Sequence, residues 1–154
     1  MKIKISVFTV FLLVLVGFFF ACEKEPKTEY PIEVPFTEYL LIGTSCQWVN
    51  LNYDDKIIII NSAEELRSYI DCSDGNYPEI DFAKKSLLMA KGMSDSGISN
   101  SVIKALMQFE HDHYELGVEL EFNNLPVETP WQVSIVVDKI DMISVVDLKT
   151  KYIH

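Results

Sequence analysis

The sequence has little positive charge and few of the side chains that most often carry chemistry. Its 13 lysines and arginines stand against 23 aspartates and glutamates, which gives a formal net charge of −10. An acidic chain repels nucleic-acid phosphates and anionic lipid head groups, so we expect no nucleic-acid partner. Glycine occurs only six times. The glycine-serine loop at residues 93–100 has no Lys-Ser or Lys-Thr pair, so we interpret it as a connector and not as a phosphate-binding loop.

The N-terminus carries a targeting segment. Lys2 and Lys4 precede an uncharged, mostly apolar run from residue 5 to Ala21, and Cys22 follows directly. This order is typical of a signal peptide, and cysteine at the break predicts lipoprotein processing, with an acyl chain such as palmitate on Cys22. The apolar run approaches the roughly 20 residues of a membrane span. An uncleaved anchor helix and simple secretion therefore remain open as alternatives.

Residues 23–27 are charged and include a proline, which is typical of a solvated tether. The same segment, rich in glutamate after an acylated cysteine, resembles the export tag of Bacteroidetes-type surface lipoproteins. We expect the protein in the cell envelope, anchored by lipid to the outer membrane and facing either the periplasm or the cell surface. The loss of Lys2 and Lys4 with the leader makes the mature chain still more acidic.

The other two cysteines, Cys46 and Cys72, form an even pair in a chain that we expect to be exported. Such a pair predicts a disulfide. Closing a loop of about 26 residues contributes roughly 3–4 kcal/mol on the chain-entropy model. The alternative makes Cys46 a catalytic nucleophile with a distant histidine, which requires a free thiolate outside the cytoplasm. We favour the disulfide.

The stretch from residue 56 to residue 92 has the strongest pattern of a packed domain. Four isoleucines, Ile57 to Ile60, predict a strand covered on both faces. Ser62 and Glu65 have the spacing of a capping box, and Leu66 and Ile70 follow at i and i+4, so we predict a helix over about residues 63–72. A second apolar run over residues 86–90 predicts the next strand.

The second half of the chain alternates apolar and polar residues with a period of two. The segment from Tyr114 to Phe122 predicts a half-buried strand with Glu115, Glu119 and Glu121 on its outer face. Residues 131–137 predict another strand, and residues 142–148 a last one. We therefore predict an α+β fold with a mostly antiparallel sheet and the helix packed on one face. Residues 1–21 are the signal peptide, 22–36 the acylated cysteine and tether, and 37–154 one domain.

One short set of residues contains metal-capable side chains, namely His111, Asp112 and His113. Alternate positions on a strand would place both imidazoles on one side, where zinc or copper accepts them. However, the three lie at a predicted hairpin turn, where histidine and aspartate are ordinary solvated residues, and no further ligand is recognisably spaced. We expect no metal and no cofactor, with His111 and His113 as the weak candidates. The row of glutamates on the outer face is interpreted as solvated.

Several of these segments together resemble a group of uncharacterised small Bacteroidetes-type lipoproteins. More distantly, the apolar strand, the helix start and the residues around 80–92 are similar to the protease-complex-associated polypeptide domain. The resemblance to these lipoproteins implies a location in the cell envelope and a fold, but it implies no activity. The residues that carry it are Cys22, residues 44–48, residues 58–66, Cys72 and residues 77–82.

Two functional hypotheses from different classes follow. The first is a lipid-anchored binding domain without chemistry of its own, whose partner is an envelope protein or a glycan. The second is an exported, hydrolase-like enzyme with a site assembled from distant residues such as Asp81, His111 or His113. A pocket with clustered, perturbed titratable groups favours the enzyme, and an open surface without them favours the binding domain. We favour binding. The observation that discriminates best is the arrangement of five side chains in the structure, those of Trp48, Tyr77, His111, His113 and Trp131.

Overall fold

The chain folds into stacked layers of β-sheet. The structure is a computed structural model and describes residues 29–49, 52, 56–123 and 125–153. The predicted signal peptide and Cys22 lie outside the described residues. The elements in these ranges, in chain order, are β1 (Ile32–Glu33), β2 (Thr37–Glu38), β3 (Cys46–Trp48), β4 (Lys56–Ile60), α1 (Ala63–Arg67), β5 (Ile70–Cys72), β6 (Lys85–Ser94), β7 (Ile98–Glu110), β8 (His113–Phe122), β9 (Thr129–Asp138) and β10 (Val145–Ile153).

Two four-stranded sheets make up most of the fold. The first has the strand order β1-β7-β8-β10, and the second has the order β2-β9-β6-β4. All neighbouring strands are antiparallel except β8 and β10, which run parallel. A small third sheet pairs β3 with β5.

The main core lies between the two large sheets. In β8 the buried side chains are those of Tyr114, Leu116, Val118 and Leu120, which are the positions that the period-two pattern turns inward. The second sheet contributes β9 from the other side, again at alternate positions. The prediction of which side chains face inward is therefore confirmed for both strands. The β9 residues in this core are Trp131, Val133, Ile135 and Val137.

The second sheet is buried on both of its faces, and this explains the unbroken apolar runs. In β4, Ile57 and Ile59 pack against the core between the sheets, whereas Ile58 and Ile60 belong to a second core on the opposite face. That second core is covered by α1, by the β3–β5 pair and by the loop before β6. A strand with two apolar faces needs such a cover, because neither face can remain in water.

The predicted α+β fold with a main helix over residues 63–72 is wrong. The helix α1 has only five residues and ends at Arg67. Ser68 closes it, because its hydroxyl and its backbone N–H both donate to the carbonyl of Glu65, at 2.7 and 3.0 Å. A serine that bonds the preceding turn competes with helix continuation. The chain then becomes β5, in which Ile70 and Cys72 are buried in strand conformation.

The start of the helix agrees with the sequence prediction. The Ser62 hydroxyl accepts a hydrogen bond from the backbone N–H of Glu65 at 3.1 Å. The Glu65 carboxylate in turn accepts from the backbone N–H of Asn61 at 2.9 Å, one residue earlier than an ideal capping box. Leu66 is the buried side chain of α1. The facing sheets cover Leu116, Val118 and Leu120, a role that we had expected of the helix.

The folded part begins before residue 37, within the segment that we assigned to the tether. β1 pairs with β7, with Ile32 opposite Gln108. The side chains of Val34 and Phe36 pack against the main core. These contacts make the tether shorter than predicted, because residues 32–36 are part of the sandwich.

The last strand also differs from the prediction of residues 142–148. β10 begins at Val145 and runs parallel to β8, with Val145 opposite His113. Met142 and Ile143 lie before it in an exposed turn. The described residues include no helix with the length and apolar character that a membrane span requires.

Candidate functional site

The β3–β5 pair anchors one wall of an open groove. Cys46 and Cys72 lie directly opposite each other in the two strands, and their sulfur atoms are 2.07 Å apart, which is the bonding distance of the expected disulfide. The pairing continues beyond the strands, since the N–H of Val49 donates to the carbonyl of Tyr69 at 2.7 Å. This cross-linked pair holds Trp48 in place at the end of β3.

The groove beside Trp48 has a volume of about 490 Å³, within the range of ligand sites in proteins. We call it the Trp48 groove. It lies at the open side of the sandwich, between the segment that follows β2 and the neighbouring parts of β3, β7 and β9. Its lining consists of residues 38–42, Cys46, Gln47 and Trp48, Ser101 and Ile103, and residues 132–134.

Two aromatic rings contribute to the apolar lining of this groove, beside aliphatic side chains such as those of Leu40 and Ile42. Tyr39 and Trp48 pack edge to face, with ring centroids 6.1 Å apart, an arrangement that aromatic quadrupoles favour. Burial raises the pKa of the Tyr39 phenol, so this group stays neutral near pH 7. Ser134 supports the segment, because its hydroxyl donates to the carbonyl of Tyr39 at 2.8 Å.

The polar groups of the Trp48 groove are mostly uncharged. Gln47 and Gln132 each present a carboxamide, which can both donate and accept hydrogen bonds. Within the part of the chain that the structure describes, neither carboxamide has a hydrogen-bond partner. Among the described residues of the lining, Glu38 is the charged one. The groove therefore offers aromatic surface and neutral hydrogen-bonding groups in a strongly acidic protein.

A second groove, of about 570 Å³, lies between α1 and the loop at residues 75–82. We call it the helix groove. Two of its charged side chains, those of Arg67 and Asp81, have partners within the protein. The Arg67 guanidinium lies 5.3 Å from the centroid of the Tyr77 ring. The Asp81 carboxylate accepts from the N–H of Ala83 at 3.2 Å and lies 3.6 Å from the ammonium of Lys84. Although it is larger, it is less neutral than the Trp48 groove, because Arg67, Glu79 and Asp81 are all among the described residues of its lining.

The candidate metal residues lie elsewhere. His111 and Asp112 form the turn between β7 and β8, as the turn interpretation predicts, and His113 begins β8. His113 lies 2.8 Å from a carboxylate oxygen of Asp147, and this hydrogen bond raises its pKa. Neither histidine lines the Trp48 groove or the helix groove. Among the described residues, no group of three His, Cys, Asp or Glu side chains has a geometry that could hold a metal.

The acidic outer face of β8 is neutralised by its neighbours rather than merely solvated. Because β10 runs parallel to β8, Lys149 and Lys151 lie beside the row of glutamates. Lys149 binds Glu115 at 3.3 Å, and Lys151 binds Glu119 at 2.9 Å. Lys104 of β7 reaches Glu119 from the other side, at 2.8 Å. Hydrogen bonds from Lys104 and Lys151 lower the pKa of Glu119.

The aromatic residues that we considered for a ligand platform do not share one surface. Trp48 lines the Trp48 groove and Tyr77 lines the helix groove. Trp131 is buried in the main core, where its indole N–H has no partner among the described residues. Gln132 and Ser101 could not be recognised from the sequence, because a polar residue within an alternating strand looks like an ordinary outward position.

The shifted titratable groups are also scattered. His113 and Glu119 are each shifted by an identified partner on a neighbouring strand, and the pKa of Asp74 is lowered chiefly by a hydrogen bond from Ser45. Tyr39 is the one group with a resolved pKa shift that lines the Trp48 groove.

No protein-family model, no curated protein sequence and no solved structure matches the chain. The resemblances to small Bacteroidetes-type lipoproteins and to the protease-complex-associated polypeptide domain therefore stay predictions from the sequence.

Proposed function

We propose that the chain is a lipid-anchored binding domain of the cell envelope, and that it binds a neutral glycan in the Trp48 groove. The observation that carries the proposal is the combination of the Tyr39–Trp48 ring pair with two carboxamides that have no partner among the described residues. The proposed location in the cell envelope rests on the apolar leader followed by Cys22. The proposed location at the outer membrane rests on the resemblance of residues 23–27 to the export tag of Bacteroidetes-type surface lipoproteins.

The chemistry of the groove suits a sugar. A pyranose ring presents an apolar C–H face, which stacks on aromatic rings, and hydroxyl groups at its edge, which both donate and accept hydrogen bonds. Trp48 offers the apolar surface, and Gln47 and Gln132 offer groups that donate and accept. A polyanionic glycan is disfavoured, because the described part of the lining carries a carboxylate, Glu38, and no cation, and the chain has a net charge of −10.

An extended peptide is the other occupant to consider, since the groove lies beside the edge of β7. Peptides that add to a sheet need a regular row of backbone donors and acceptors. The register of β7 shifts between Ile103 and Ala105, and again between Ile98 and Asn100. Such irregularities interrupt the row and are a common means of blocking edge pairing. For this reason we favour the glycan.

The hydrolase hypothesis has less support. Its three suggested residues are separated, with Asp81 in the helix groove and His111 and His113 at the β7–β8 turn. A catalytic site needs a nucleophile or base within hydrogen-bond reach of its partner. The resolved pKa shifts do not cluster in either groove, which also favours binding over catalysis.

Affinity electrophoresis tests the ligand class. The mature chain is run through native gels that contain starch, a β-glucan, xylan, mannan or heparin. We expect retardation by at least one of the four neutral polysaccharides and none by heparin. Trp48→Ala and Gln132→Ala should each abolish the retardation. Tyr152→Ala is the matched control, because Tyr152 is an exposed aromatic that stacks on Phe122 outside the groove.

The ligand proposal fails if none of the neutral polysaccharides retards the protein, or if Trp48→Ala and Tyr152→Ala have the same effect. Retardation by heparin alone would also overturn it. A panel of extended peptides, tested by fluorescence anisotropy, provides the counter-measurement, since peptide binding that depends on Trp48 would replace the glycan with a peptide.

The anchor is tested separately by replacing Cys22. The Cys22→Ser variant should leave the membrane fraction or accumulate with its leader uncleaved. Mass spectrometry of the wild-type protein should find an acyl chain on Cys22. A wild-type chain without an acyl group would contradict the proposed anchor. It would not contradict the proposed glycan site in the Trp48 groove.

A further inference from the structure

Several apolar side chains are exposed at one end of the sandwich. Ile143 and Met142, in the turn before β10, are 83% and 72% exposed. Val145 and Phe109 are also exposed, and they lie on either side of the β7–β8 turn. The two turns are neighbours, because the N–H of Val145 donates to the carbonyl of Asp112 at 2.8 Å. We call Phe109, Met142, Ile143 and Val145 the turn patch.

The polypeptide enters the fold at this same end. β1 pairs with the last part of β7, where Ile32 lies opposite Gln108. Tyr30 lies close enough to Tyr114, the second residue of β8, to affect the pKa of its phenol. Tyr30 and Ile32 are themselves partly exposed. The tether therefore joins the domain beside the turn patch.

The length of the tether limits what can reach the membrane. Glu29 lies seven positions after Cys22, and at about 3.6 Å per position the tether spans at most about 25 Å. β8 runs from the turn patch to the opposite end of the sandwich, and its ten residues cover about 30 Å at about 3.3 Å per residue. A chain anchored at Cys22 thus keeps the turn patch within reach of the bilayer, and its tether is too short for the domain to stand upright on its opposite end.

We infer that the turn patch rests on the surface of the bilayer that holds the lipid anchor. This inference depends on the proposed anchor at Cys22. The apolar side chains enter the interface between head groups and acyl chains, where burial removes them from water. Asp112 and Asp141 lie beside the patch, so the favoured surface is made of zwitterionic lipid rather than anionic lipid.

This orientation would turn the Trp48 groove away from the membrane. Gln132 lies near the start of β9, and Ser101 is paired with Leu120 near the end of β8. Both positions are closer to the end opposite the turn patch. The groove would then be accessible to a glycan outside the bilayer.

Fluorescent labels at the two ends test the contact. The lipidated protein carries an environment-sensitive fluorophore on Ile143→Cys and, in a second sample, on Leu125→Cys. Leu125 is the matched control, since it is an exposed apolar residue in the loop at the opposite end. In vesicles of phosphatidylcholine with nitroxide-labelled lipid, we expect a blue shift and strong quenching at residue 143. Residue 125 should show neither.

A second arm separates this inference from the anchor itself. In that arm a histidine tag replaces residues 1–22 and binds nickel-chelating lipid in the same vesicles. Quenching at residue 143 in the tagged chain supports the contact even if Cys22 proves to carry no lipid. Equal quenching at both positions, or none at residue 143 in either arm, overturns the inference. A label at residue 143 that is shielded in native membranes but solvated on vesicles would mean that the turn patch contacts a membrane protein and not lipid. That result would also overturn the inference.

Discussion

The replacement Leu120→Ala tests the two-sheet core. Leu120 is fully buried in β8, where it lies opposite Ser101 of β7 and Tyr152 of β10. The change removes three carbon atoms from an interior that the facing sheet fills. At about 0.8 kcal/mol for each buried methylene, the loss of transfer free energy alone is about 2.5 kcal/mol.

The cavity that remains adds to this loss. Leucine-to-alanine changes in protein cores cost about 2–5 kcal/mol in total, depending on how far the surroundings relax. With a urea m-value of about 2 kcal/mol/M, the unfolding midpoint should fall by about 1–2.5 M. Equilibrium unfolding followed by circular dichroism measures this shift directly.

Leu125→Ala is the matched control, because the same side chain is there 57% exposed in a loop. Its free energy of unfolding should change by no more than about 0.5 kcal/mol. A similar shift for both variants, or a loss below about 1 kcal/mol for Leu120→Ala, would mean that β8 does not face a packed second sheet.

Three further predictions concern local interactions. Replacing both Cys46 and Cys72 with serine should lower the free energy of unfolding by about 3–4 kcal/mol, and reductant should have the same effect on the wild type; free thiols in the native protein would contradict the bridge. The hydrogen bond to Asp147 raises the pKa of His113 above its usual 6.5. The stability from this pair is therefore fully present below pH 6.5 and is lost as the pH rises through the raised value. An NMR titration should find the raised pKa in the wild type and not in Asp147→Asn. Ser62→Ala should cost about 1 kcal/mol by loss of the helix cap, and an unchanged urea midpoint would show that the cap does not contribute.

The strand pattern could be predicted from the sequence because side-chain alternation is a local property. The alternation in β8 and β9 identified the buried positions correctly, since one face of each strand packs on the core. The pairing of β8 with β10 could not be predicted in the same way. Whether two strands run parallel depends on a connection across the whole fold, and Lys149 and Lys151 face Glu115 and Glu119 only as a result of it.

The helix was overestimated because a spacing of four residues has two structural explanations. Leu66 and Ile70 are both buried in the second core, but the first lies in α1 and the second in β5. The bridge to Cys46 accompanies a strand pairing at Cys72, which a helix could not have formed. The Trp48 groove was likewise out of reach of the sequence, since it joins Trp48, Ser101 and Gln132 from three separate strands.

NMR chemical-shift mapping of the Trp48 groove is the most direct test of the account. An oligosaccharide of the polysaccharide that retards the protein is titrated into the isotopically labelled mature chain. We predict shifts of the indole N–H of Trp48 and of the side-chain amides of Gln47 and Gln132. The indole N–H of Trp131, buried in the main core, should not move. Shifts centred on the helix groove around Tyr77, with the Trp48 signals unchanged, would contradict the proposed site.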